Sequence, residues 1–136
     1  MMNFTSLVYD KIFPLLKPYG YYVLEKNESM IEFSNALVRV RFSYDNRENV
    51  VLLFLGYKFD NSRFSYILFH YADEYLMRLG LTTPIILNDD SVSSQINIQR
   101  RKLEASEALL LGNEDFYLHI KAIEEQEIKE YNSRMK

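Results

Sequence analysis

A chain of 136 residues with 48% hydrophobic side chains, 4 glycines and 3 prolines has material for one buried core, which excludes a disordered chain and argues for a single domain over 1–136. The absence of cysteine excludes a disulfide framework, a thiolate metal site and a cysteine nucleophile. Net charge is −3, balanced at seven basic against seven acidic residues over 1–60 and nine against twelve over 61–136, a field that repels phosphate backbones, so no nucleic-acid partner is expected.

The opening MMNFTSLVYDKIFPLLKP has no basic leader, and Asp10 and Lys11 interrupt it before a signal segment could form. The longest apolar run, Val50 to Leu55, is far below the roughly 20 residues that span a bilayer. A cytoplasmic protein with no membrane partner is expected. Phe4, Leu7, Val8, Ile12, Leu15 and Leu16 recur at helical spacing and predict a helix over 3–17, with Asn3 or Thr5 as N-cap. Pro14 predicts a kink or restart, and Pro18 with Gly20 an end.

From residue 20 to 58 the period changes. YYVLEK, SMIEFS, ALVRVRFSY and NVVLLFLGY are separated by Asn27-Glu28, Asn35 and Asp45 to Glu48, which predicts a four-stranded antiparallel meander. In the third strand Val38, Val40, Phe42 and Tyr44 face one way and Arg39, Arg41 and Ser43 the other, so one side of the sheet meets water. The fourth is apolar on both faces, as an inner or helix-covered strand would be, and Asp45 to Glu48 reads as a four-residue hairpin loop.

A helix is predicted over 62–79, capped by Asn61 or Ser62, with Phe64, Ile67, Leu68, Tyr71, Tyr75 and Leu79 inward and Gly80 as its C′ residue. LTTPIILNDD is the longest irregular piece, with Pro84 opening an extended Ile85-Ile86-Leu87. Helices over 91–111 and 114–131 follow. The first carries Val92, Ile96, Leu103 and Leu110 inward and stops at Gly112; the second is capped by Asn113 and carries Phe116, Ile120, Ile123 and Tyr131. The expected fold is α+β, with an N-terminal helix and two to three C-terminal helices packed mainly on one face of the sheet.

Candidate chemistry is thin. His70, Asp73 and Glu74 share a helix face at a spacing that can ligate a metal, and His119 stands one turn after Asp115, which could orient its imidazole as a general base. Neither group has a supporting nucleophile or a glycine-rich loop beside it, and a solvated helix face accounts for both. Asp89-Asp90 offers oxygen donors but lacks the alternating ligands of a calcium loop, and helix capping explains it; Arg100, Arg101 and Lys102 point in three directions and can pair with Glu104 and Glu107. No catalytic residue, metal or cofactor is assigned.

The 11 tyrosines exceed what a small core needs, and tyrosine is enriched at recognition surfaces; Tyr21 and Tyr66 are the candidates taken forward. Beside them stand Arg39, Arg41, Arg47 and Glu48, as one charged recognition surface on the wet side of the sheet and its hairpin tip.

The layout of FPLLKPYGYYV, IEFSN, VRVRFSYDNRENVVL and LLLGNEDFYLHI resembles small, mostly uncharacterised bacterial α+β proteins, some of them similar to immunity proteins of contact-dependent and polymorphic toxin systems. The resemblance spans most of the chain and carries no catalytic motif. It implies a cytosolic protein that binds another protein, such as a toxin. The expected function is thus a non-enzymatic protein-binding module, with an immunity-type inhibitor as its sharpest form. Its alternatives are a small hydrolase or metal-dependent enzyme using His70, Asp73, Glu74 or His119, and a structural homodimer.

Overall fold

Asn3 opens helix α1 (Phe4–Leu16), its side-chain oxygen accepting the Ser6 amide at 3.1 Å. The computed structural model describes residues 3–59, 63–84 and 91–135. Phe4, Val8, Ile12 and Leu16 form the buried stripe of α1. The helix is continuous through Pro14, against the expected restart, although Pro14 has no N–H to donate to the Asp10 carbonyl one turn earlier. A 3₁₀ turn over Lys17–Tyr19 then ends on Gly20 at φ 82°, a left-handed conformation that glycine adopts without strain.

The sheet is an antiparallel meander of five strands, not four, in the order β1 (Tyr22–Lys26), β2 (Met30–Ser34), β3 (Val38–Asp45), β4 (Val50–Phe59) and β5 (Arg63–Leu68). The fifth strand replaces the first half of the helix expected over 62–79, which begins only at Phe69 as α2 (Phe69–Arg78). RFSYIL satisfies both periods, and its aromatic and β-branched content suits a strand. Pairing decides it. The long apolar β4 would otherwise expose a row of unpaired amides and carbonyls, and β5 satisfies six positions of it, from Phe54↔Leu68 to Phe59↔Arg63. Of the predicted inward stripe, Ile67 is buried, Tyr71 and Tyr75 are partly so, and Leu68 and Leu79 are exposed; Phe69, Ala72 and Leu76 form the buried side of α2. The proposed caps Asn61 and Ser62, the segment Ile85 to Leu87 and the pair Asp89-Asp90 lie outside the described residues.

The helix expected over 91–111 is two: α3 (Val92–Glu104), capped by Ser91, and α4 (Glu107–Leu111), capped by Ser106. Gly112, at φ 77°, ends α4, and Asn113 caps α5 (Glu114–Arg134) by accepting the Phe116 amide at 3.0 Å. Phe116, Ile120 and Ile123 are buried in α5, whereas Tyr131 is exposed. Among the described residues four helices therefore follow the sheet rather than two or three. Among the described residues no helix is long and apolar enough to cross a membrane.

The core lies between one face of the sheet and the helices. Ile31, Phe33, Val40, Phe42, Leu53, Leu55 and Ile67 project from the strands toward α1, α2 and α3. Helix α1 crosses β2, with Phe13 stacked on Phe33 at 5.9 Å, α3 packs on α1 and β4, and α2 packs on α5. Three buried tyrosines bind the end of α4: Tyr117 donates to the Leu109 carbonyl at 2.8 Å, Tyr21 to that of Leu110 at 2.9 Å and Tyr57 to that of Gly112 at 3.0 Å. They bond carbonyls at a helix terminus, where i+4 amides run out; that of Leu109 also accepts the Gly112 amide at 3.3 Å. Burial pushes the hydroxyl pKa values of Tyr21 and Tyr117 well above the ordinary tyrosine range.

Candidate functional site

Because successive side chains on a strand alternate, the register that sends Phe42 and Leu53 into the core sends their neighbours to the opposite face, which carries no helix among the described residues. One row across that face runs Glu25, Glu32, Arg41, Phe54 and Leu68; the next runs Tyr22, Ser34, Arg39, Gly56 and Tyr66. Lys58 and Phe64 pair in the row beyond, and Met30, Ser43 and Leu52 stand in the row before. The second apolar side of β4 is therefore open to solvent. Leu52 is 39% exposed, Leu68 44% and Tyr66 37%.

Glu32 stands at the centre of this face, only 1% exposed. Arg41 Nε donates to its Oε1 at 2.7 Å, Tyr66 donates its hydroxyl to Oε2 at 2.6 Å, and Arg39 Nε stands 3.9 Å from Oε2. Arg39 Nη1 also donates to the Tyr66 oxygen at 3.3 Å. Both guanidiniums lie over rings, Arg39 4.0 Å from the centre of Phe64 and Arg41 4.4 Å from that of Tyr66. Each such contact is worth about 0.5–2 kcal/mol. Desolvation would lower the Arg41 pKa, but the hydrogen bond and charge of Glu32, with Tyr66, outweigh it and leave it above the ordinary value.

Gly56 makes this cluster possible. A Cβ there would lie 3.0 Å from Tyr66 Cε1 and 3.2 Å from Arg39 Cβ, so only glycine leaves room for the Tyr66 ring to cross β4 and reach Glu32 on β2. A carboxylate so enclosed cannot meet a substrate. It holds the Arg41 guanidinium and the Tyr66 phenol by bonds of charge-assisted length, and Arg39 joins them through the Tyr66 oxygen.

Of the residues singled out from sequence, Arg39, Arg41 and Tyr66 converge here. Glu32 was missed. Its signal was a lone acid between Ile31 and Phe33, opposite Arg41 once the β2–β3 hairpin is in register. Arg41 does face the open side of the sheet, as expected, and its guanidinium is bound there to a buried carboxylate. Tyr66 belongs to β5, not to a helix. Tyr21, at 3% exposure, is a core residue and leaves the surface set.

Arg47 and Glu48 are exposed at the β3–β4 tip, about 13 Å along the strand from Arg41 by the rise of four residues. The strand runs through Asp45, so the loop is Asn46–Asn49, one residue later than expected. Asp45 Oδ1 accepts the amides of Arg47 and Glu48 at 3.0 and 3.4 Å, and Asn49 turns the chain back at φ 53°.

The histidine candidates separate. His70 Nε2 lies 3.5 Å from Glu127, Asp73 takes Lys102 at 2.7 Å, and Glu74 takes Arg78 at 3.3 Å. His119 Nδ1 bonds the Asp115 backbone carbonyl at 2.7 Å, rather than its carboxylate, and its ring stacks on Tyr75 at 5.0 Å. Among the described residues no three His, Asp or Glu side chains are grouped to hold a metal ion. In the basic triplet Arg100 pairs with Glu104 at 2.9 Å, while Glu107 accepts instead from Tyr19 at 3.4 Å.

Comparison with known proteins gives no match to a family model, to a curated protein or to a solved structure.

Proposed function

We propose that the chain is a non-enzymatic protein-binding module whose recognition surface is the helix-free face of the sheet. The observation that carries this reading is the pairing of a preorganised Arg39–Arg41–Tyr66 centre with exposed Leu52 and Leu68 on that one face. Contiguous apolar area on a folded chain marks an interaction site, and tyrosine and arginine dominate binding energy where they are held rigid. Glu32 acts inside the surface as the anchor of Arg41 and Tyr66, and Tyr66 in turn takes Arg39, which spares these side chains part of the entropy of ordering on binding.

An immunity-type inhibitor of a bacterial toxin, acting in the cytoplasm, is the sharpest form of this reading, supported by the layout resemblance of the sequence. The hydrolase and metal-enzyme alternatives draw no support from His70, Asp73, Glu74 and His119, which are engaged with four different partners. The test is to capture a partner, or co-express the product of a neighbouring gene, and map the contact by hydrogen exchange. Protection should fall on β3, β4 and β5, and Leu52→Ser with Leu68→Ser should abolish capture while the protein stays folded. Protection confined to α2 and α5 would refute the assignment of the face.

A further inference from the structure

We infer that the partner presents an acidic protein segment to this face: carboxylate side chains for Arg39 and Lys58, flanked by aliphatic or aromatic groups that cover Leu52 and Leu68. This rests on the reading of the open face as the binding face and adds the chemistry of what it binds.

The argument is one of unbalanced charge. The register places Arg39, Arg41 and Lys58 on the open face against Glu25, Glu32 and Asp45, with Asp45 at the hairpin end of β3, roughly 20 Å along the strand from Arg39 by the rise of six residues. Glu32 is spent, holding Arg41 at 2.7 Å and the Tyr66 hydroxyl at 2.6 Å. Arg39 Nε remains at 3.9 Å, beyond hydrogen-bond reach, and makes no hydrogen bond. Glu25 stands on the edge strand β1, on the far side of Glu32 from both other cations. Lys58 and Arg39 approach the same Phe64 ring, at 5.7 and 4.0 Å. Among the described residues Lys58 meets no carboxylate at ion-pair distance. Two cations over one ring repel each other, and a carboxylate laid between them relieves this as it docks. In a chain of net charge −3 the positive charge is local to the Arg39–Lys58 end of the face, away from Glu25 and Asp45, so that end selects an acidic partner against the protein's overall field.

The same geometry disfavours other occupants. A second copy on a twofold axis would bring like patches together, and its Glu32 is already buried and spent. Bases of a nucleic acid would need several ring faces in series, but Phe64 and Tyr66 each already carry a guanidinium, which leaves Tyr22 at the β1 edge, and phosphates have no use for Leu52 and Leu68.

A randomised peptide display library, panned on the purified full chain, tests this. Panning runs in parallel on Arg39→Gln/Lys58→Gln, which keeps the Glu32–Arg41 bond, and on Leu52→Ser/Leu68→Ser, with circular dichroism melts confirming that both fold. Wild-type protein should enrich peptides in which Asp or Glu alternates with apolar residues. Their affinity should fall by about tenfold or more in Arg39→Gln/Lys58→Gln and should weaken with added salt. Enrichment of neutral or basic peptides, or acidic peptides that bind this variant as well as wild type, overturns the inference. If those peptides still fail on Leu52→Ser/Leu68→Ser, the face remains a docking surface and only its acidic preference is lost. Peptides indifferent to both variants, or no enrichment over a blank selection, overturn the proposed function as well. A single-stranded oligouridylate that outcompetes the peptides, or a dimer in sedimentation that Leu52→Ser/Leu68→Ser dissolves, replaces the acidic segment with that occupant.

Discussion

Substituting Arg41 with Met isolates what the Glu32 cluster contributes. The change removes a 2.7 Å charge-assisted bond from a carboxylate that is 1% exposed. Breaking a buried ion pair by deleting one partner costs about 3–5 kcal/mol, because the remaining charge stays desolvated. Two features reduce this. The Arg41 side chain is 33% exposed, so water already screens the pair, and Tyr66 still donates at 2.6 Å with Arg39 at 3.9 Å. The expected cost is about 2–3 kcal/mol. Glu32→Met leaves two guanidiniums with solvent access and should cost less, about 1 kcal/mol. The double variant Glu32→Met/Arg41→Met, with no stranded charge, should lie within about 1 kcal/mol of wild type. The coupling energy is then about 2–4 kcal/mol, read from urea unfolding of the four proteins. In thermal melts each kcal/mol should appear as roughly 3–6 °C for a domain of this size. Additive single and double values, or an Arg41→Met cost below about 0.5 kcal/mol, would show that the pair behaves as an ordinary surface bridge.

Gly56→Ala places a methyl 3.0 Å from the Tyr66 ring and should cost about 1–3 kcal/mol in urea melts, largely relieved in a Tyr66→Ala background; an unrelieved cost would locate the strain elsewhere. Phe42→Ala and Leu53→Ala each empty a core position exposed by 0% and 3% and should cost about 2–5 kcal/mol, so unchanged denaturation midpoints would contradict the sheet register. Tyr21 and Tyr117 have hydroxyl pKa values raised on folding, so their contribution is complete below the unfolded value near 10 and is lost as pH rises toward the folded value. Stability should therefore fall above about pH 10 by up to about 1.4 kcal/mol per pH unit for each tyrosine, and Tyr117→Phe should shallow that slope in pH-dependent urea titrations.

Local chemistry was sufficient for the elements whose residues admit one conformation. The Phe4 to Leu16 stripe, the Asn3 and Asn113 caps, the terminating Gly80 and Gly112 and the alternation of β3 all follow from side-chain period and backbone preference, and all stand in the structure. Where a segment admits two conformations, its partner chose. RFSYIL became β5 because β4 needed its edge satisfied, and the run from Val92 to Leu111 broke at Ala105, where Ser106 starts a new helix with its own cap. Arg39 and Arg41 were legible as one face of a strand, but the buried acid that joins them was not. Glu32 meets Arg41 only through the β2–β3 register and Tyr66 only across β4, over the side chain that Gly56 lacks. Tyr21 sank into the core for the same kind of reason: the carbonyl it satisfies belongs to Leu110, 89 residues away. Residue type and spacing therefore set which faces were apolar and where helices stopped. Long-range pairing decided which polar groups met, because an unpaired buried charge or carbonyl is too costly to leave to the local chain.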